Sequence, residues 1–199
     1  FGGEPVGEGC IALAFERRDR LHEPIREKYV EADLLLLRGL PSLLRRSAFD
    51  ATAVIAEGRL IAVEPGDTTR RNFGVAFDIG TTTVVGFLMD LVTGRELAVA
   101  ARTNPQIPFG DDVVSRIRHA TEAPRGLREL QSRIVGCMND IIGECCRQAR
   151  VPRKNVYEVT AVGNTTMHHL LLGIPPEFVA QAPYVAVVRG SVTARAGEI

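Results

Sequence analysis

Val75-Ala76-Phe77-Asp78-Ile79-Gly80-Thr81-Thr82-Thr83 is the stretch on which the fold turns. An apolar, β-rich run carries one carboxylate near its end and passes straight into a glycine and a row of threonines. The pattern predicts a strand over 74–79, a tight turn, a second strand over 84–90, a turn at Thr93-Gly94 and a third strand over 96–101. The first corner of this meander has a chemical logic for phosphate. A carboxylate at a strand end can hold hydrated Mg²⁺, which takes one or two carboxylates together with waters and phosphate oxygens. Gly80 lets the backbone bend sharply and leaves room for a ligand against the main chain. Successive turn amides make a concavity for anions, and the hydroxyls of Thr81, Thr82 and Thr83 add donors. The corner is neither a Walker loop nor a GxGxxG fingerprint, since the lysine and the following helix are missing. The plainer alternative is an ordinary hairpin with a glycine in its turn and solvated threonines.

Downstream, residues 103–110 read as a loop, after which Asp111 or Asp112 caps a helix running to about His119. Asp112 is also a candidate catalytic carboxylate. Residues 127–149 form a long amphipathic helix with Leu130, Ile134, Met138, Ile141 and Ile142 on one face. A fourth strand over 156–162 leads into Gly163-Asn164-Thr165-Thr166 and a short helix ending near Gly173. Asn164 or Thr165 can cap that helix, or Gly163, Asn164 and Thr165 can face a ligand. His168 and His169 are adjacent, about 100° apart on a helix, which rules out the i, i+4 metal pair and leaves a structural or surface role.

Upstream, residues 1–71 read as a separate small α+β block. Pro24 suits a helix start, Ile25, Tyr29, Ala32, Leu36 and Leu40 recur at helical period, and Pro41 marks a break before a second short helix at Leu43-Leu44. Residues 51–56 and 59–64 form a hairpin around Glu57-Gly58, closed by Pro65-Gly66-Asp67. Residues 72–199 form the second block. The chain begins at Phe1, shows no signal-peptide layout, and reads as a piece of a longer protein.

Composition narrows the options. With 24 basic and 24 acidic side chains in 199 residues, the chain lacks the excess charge that a broad nucleic-acid surface needs, so no nucleic-acid partner is expected. No apolar run reaches the roughly 20 residues that span a bilayer, so no membrane association is expected. The four cysteines, Cys10, Cys137, Cys145 and Cys146, contain no CxxC pair. They read as buried free thiols in a cytoplasmic protein.

The Asp78-to-Thr83 turn within a meander resembles the first phosphate motif of the acetate and sugar kinase, heat-shock protein and actin (ASKHA) superfamily. Two further segments sharpen the resemblance: Asn104-Pro105-Gln106-Ile107-Pro108-Phe109-Gly110-Asp111-Asp112-Val113-Val114-Ser115-Arg116-Ile117, and Val162-Gly163-Asn164-Thr165-Thr166-Met167-His168-His169. In this order they look like the reductive activators of corrinoid proteins (RACo-type proteins), across nearly the whole chain. The resemblance implies an α/β protein: an α+β middle domain over 1–71, then the first lobe of an RNase H-like, actin-like ATPase domain with a mixed sheet over 72–199. It implies an ATPase that returns a corrinoid protein partner from Co(II) to Co(I), with ATP and Mg²⁺ as cofactors and a [2Fe-2S] cluster in the parent protein but not in this chain. Asp78 would place metal and water, and Gly80, Thr81, Thr82, Thr83, Gly163, Asn164 and Thr165 would hold phosphate. Asn104 and Gln106 would shape the cleft or touch the corrinoid partner. A homodimer through residues 1–71 is a further expectation. The alternative is a small-molecule kinase of the same superfamily, which needs a general base that only Asp78 or Asp112 offers.

Overall fold

The computed structural model describes residues 11–12, 17–20, 31–56, 58–188 and 190–199. The strands are β1 (Ile11–Ala12), β2 (Arg17–Arg20), β3 (Glu31–Ala32), β4 (Ala51–Ala56), β5 (Arg59–Pro65), β6 (Phe73–Ile79), β7 (Thr83–Asp90), β8 (Arg95–Thr103) and β9 (Val156–Gly163). The helices are α1 (Leu34–Arg46), α2 (Val113–Glu122), α3 (Gly126–Ala149) and α4 (Thr165–Leu172). The class is α/β, with two mixed sheets ordered β2-β4-β5-β3 and β1-β9-β6-β7-β8. After residue 72 the element order is the predicted meander, two helices, a strand and a helix.

The larger sheet packs one face on α3. Alternation sends Val75, Phe77 and Ile79 of β6 and Val84 and Leu88 of β7 to the same core as Leu130, Ile134, Ile141 and Cys145 of α3. Helix and sheet meet at Gly86, where an added Cβ would lie 2.5 Å from the Ile141 side chain and 2.8 Å from the Phe77 ring. Asp78 falls on the opposite, exposed face because it is one residue out of phase with Phe77 and Ile79. Strands β6 and β9 are parallel, with Ile79 opposite Gly163. Their carboxyl ends therefore open at one edge of the sheet, the place where ligands enter open α/β sheets.

The hairpin β4–β5 forms as its turn residues predict. The first block departs from expectation at Pro41, inside α1. The predicted break is absent, and α1 runs unbroken from Leu34 to Arg46 with Pro41 inside it. No residue of α1 is buried, so the carbonyl that Pro41 leaves without an amide can turn to water instead of going unsatisfied. The charged run Arg17–Arg20 is strand β2, paired antiparallel with β4. The helix start predicted at Pro24 and most of the strand predicted over 10–15 lie outside the described residues.

Candidate phosphate corner

The corner is built by pulling carbonyls inward. The Gly80 amide donates to the Thr83 carbonyl at 2.9 Å, closing the turn. A Cβ on Gly80 would sit 2.7 Å from that same carbonyl oxygen, so only glycine fits the bend. Asn104 Nδ2 donates to the Gly80 carbonyl at 2.8 Å, Arg116 Nη2 to the Thr81 carbonyl at 2.6 Å, and the Asn104 amide to the Thr82 carbonyl at 2.8 Å. A trans peptide sets its C=O and N–H on opposite sides. Anchoring the carbonyls of Gly80 and Thr81 inside therefore turns the amides of Thr81 and Thr82 outward, and among the described residues neither meets a protein acceptor. These are adjacent free donors on the exposed side of the bend, next to the exposed Asp78 carboxylate.

The parallel neighbour supplies the second wall. Gly163 ends β9 so close to β6 that a Cβ would lie 3.0 Å from the Ile79 carbonyl oxygen. Asn164 caps α4, its Oδ1 accepting from the Met167 amide at 3.0 Å, while its Nδ2 donates to Thr81 Oγ1 at 3.3 Å. Asn164, and not Thr165, is thus the cap. The structure brings Asp78, Gly80, Thr81, Thr82, Gly163, Asn164 and Thr165 to one edge. Thr83 begins β7 and pairs with Thr103.

Asp112 stands one step back. It caps α2, with Oδ1 accepting the Ser115 amide at 2.7 Å, and that bond holds its carboxyl below the ordinary value. Its charge acts on Arg116. Capping accounts for its place in the sequence.

Asn104 and Gln106 are buried, at 1% and 0% exposure, so they shape the corner from within and offer no surface to a partner. Asn104 Oδ1 accepts from the Gln106 amide at 2.9 Å, and Gln106 Nε2 donates to the Leu130 carbonyl at 2.9 Å. Arg116, which sequence reading passed over, is the centre of this network. It is fully buried, and it donates through Nε to the Gly110 carbonyl at 2.9 Å and through Nη1 to Gln106 Oε1 at 3.3 Å. Only its position within the Asn-Pro-Gln segment hinted at a role, because an arginine four residues after a helix cap usually points to solvent.

Residues 73–199 match the family described as the RACo middle region, and residues 17–70 match the RACo linker region. The chain belongs to the RACo family. In the family's own terms, residues 17–70 are the linker and 73–199 the middle region. The corrinoid activation enzyme RamQ of Eubacterium limosum is 32% identical over 177 residues, which are 88% of this chain and 30% of that enzyme. A solved structure of a reductive activator for corrinoid, iron-sulfur protein superposes with a TM-score of 0.71 at 30% identity, over 94% of this chain and 33% of the other. The chain spans about a third of the length of these relatives.

Cys137, Cys145 and Cys146 are buried free thiols on α3, as expected, and burial pushes all three thiols up. Protonated thiols inside a packed helix face do not fit an iron–sulfur cluster, which takes thiolates. Cys10 lies outside the described residues. His169 is structural: the Val187 amide donates to its Nε2 at 3.2 Å, so its Nδ1 carries the proton given to the Thr165 carbonyl at 2.7 Å. Among the described residues no group of three or more His, Cys, Asp or Glu converges on a metal position, and no helix is long and apolar enough to cross a membrane.

Proposed function

We propose that this chain is the linker and middle part of an ATP-dependent reductive activator that returns a corrinoid protein from Co(II) to Co(I). In this reading residues 73–199 are the first lobe of an ASKHA-type ATPase domain, and the edge at Gly80 and Gly163 is its phosphate-binding wall. The observation that carries it is the outward pair of free amides at Thr81 and Thr82, beside an exposed carboxylate at the ends of two parallel strands. Membership of the RACo family supports it.

The residues fit Mg-ATP. One carboxylate suffices for a magnesium ion whose other ligands are waters and phosphate oxygens, and Asp78 is exposed to serve. Thr81 and Thr82 donate amides and hydroxyls to phosphate, and Asn164 steadies Thr81 from the neighbouring helix. ATP supplies the driving force when bound, because reduction of Co(II) is uphill from ordinary donors and needs a nucleotide-linked preference for the reactive state. The [2Fe-2S] centre of the complete activator belongs to another part, since the described cysteines do not suit it. Calorimetry with Mg-ATP on this chain alone gives little heat, because in this reading a facing lobe completes the nucleotide site. The leucine-rich exposed side of α1, with Leu35 78% exposed, supports a homodimer through the linker. Static light scattering reads that directly, and a monomer at high concentration removes it.

The test of the whole reading is Asp78→Ala in the complete activator. ATP hydrolysis is lost while circular dichroism and thermal midpoint stay as in the wild type. Turnover close to the wild-type rate takes Asp78 out of the site.

A further inference from the structure

Arg116 is a fully buried cation that no carboxylate contacts among the described residues. Its partners are neutral: the carbonyls of Thr81 and Gly110, the Gln106 side-chain oxygen, and the Met167 sulfur at 3.4 Å. The charges that act on it are Asp111 and Asp112 at the start of its own helix, both exposed to solvent. Burying a charge without a direct counter-ion is costly. A fold needing only a spacer here would use an aliphatic side chain. The guanidinium lies directly behind the peptide whose amide, that of Thr82, faces out.

We propose that Arg116 is a positioning residue for the 80–83 loop: it fixes the Thr81 carbonyl so that the loop amides meet a polyphosphate, and it places an unneutralised positive charge behind them. The inference rests on the phosphate reading above and goes beyond it. Its fork spans carbonyls from different segments, Thr81 in the loop and Gly110 before α2, a task for which lysine has one ammonium and no fork. The anion's negative charge would complete the pairing that Arg116 lacks within the chain.

The experiment is a titration of this 199-residue chain with magnesium tripolyphosphate, followed by amide and arginine Nε–H resonances, which register millimolar binding. In the wild type, the Thr81 and Thr82 amides and the Arg116 Nε–H shift together along one binding curve. Arg116→Lys keeps the charge and loses the fork, and binding weakens about tenfold or more, the worth of one charge-assisted hydrogen bond, while core amides stay in place. Arg116→Gln weakens it further. A merely structural arginine would change the thermal midpoint and leave both the Nε–H signal and the affinity of the folded variant unmoved. No loop shift in the wild type overturns the phosphate reading and the role of Arg116 with it. Loop shifts with a silent Arg116 Nε–H, or equal affinity in folded Arg116→Lys, overturn the role of Arg116 alone. The Nε–H measurement needs no variant, so it decides the matter even if a substitution prevents folding.

Discussion

Strand β9 begins and ends at buried polar clusters, and the two are built on opposite principles. At its start, Glu64 of β5 accepts from Thr68 Oγ1 at 2.5 Å, Asn155 Nδ2 at 2.6 Å and Tyr157 Oη at 2.6 Å. That carboxylate, on a strand of the small sheet, is met by Tyr157 of β9 in the larger sheet, by Asn155 just before β9 and by Thr68 of the loop after β5. At the far end, Arg116 and Asn104 grip backbone carbonyls, and drawing in those of Gly80 and Thr81 turns the amides of Thr81 and Thr82 out. The first cluster turns its donors onto one buried carboxylate and works as a joint between the linker and the middle region. The second is closed on one side only, and its open side is the candidate site. A buried polar group that satisfies only its neighbours is architecture. One that leaves a row of donors facing water prepares a surface for something else.

The sharpest way to break this contrast is Glu64→Leu. It strands the donors of Thr68, Asn155 and Tyr157 in a buried place, and the chain loses about 3 kcal/mol of stability in urea unfolding. The loop amides at Thr81 and Thr82 keep their resonances, because the joint is remote from the corner. A shift of those resonances would mean that the two clusters form one unit. Next in size is Asn164→Ala, which removes the α4 cap at a cost of about 1 kcal/mol and frees Thr81 Oγ1, so it moves both stability and the loop signals. Smallest is Asp112→Asn. Asparagine caps as well as aspartate, so the thermal midpoint near neutral pH hardly changes. The native aspartate has its pKa lowered by the Ser115 amide, so its stabilisation is present above the ordinary carboxylate range and lost as the pH falls through the lowered value. The asparagine variant lacks that acid limb, and melting curves at neutral and acid pH read the difference.

The elements legible in the sequence are those set by neighbours along the chain. The meander follows from alternation around Phe77 and Val84. The β4–β5 hairpin follows from turn chemistry, and α4 from Asn164 in front and Gly173, in the left-handed region, behind. The exposure of Asp78 was also readable, since it breaks phase with Phe77 and Ile79. Pro41 misled because a local rule was applied where solvent access relaxes it.

The site divides along the same line. Its front lies in two short local motifs, Asp78 with the glycine-threonine bend and, 83 residues beyond Thr81, Asn164 at its helix cap, and both were found in the sequence. Its back is assembled at longer range: the side chains of Asn104 and Arg116 hold loop carbonyls 24 and 35 residues away, with Gln106 bracing Arg116, and of these three Arg116 was missed. Glu64 reaches its partners across 91 and 93 residues. Periodicity and capping are set within a few residues, so the sequence alone determines strand, turn and cap. Which polar side chains go inside, and which amides are thereby turned out, is decided only when distant segments pack, because burial makes a polar group bond to whatever the fold brings beside it.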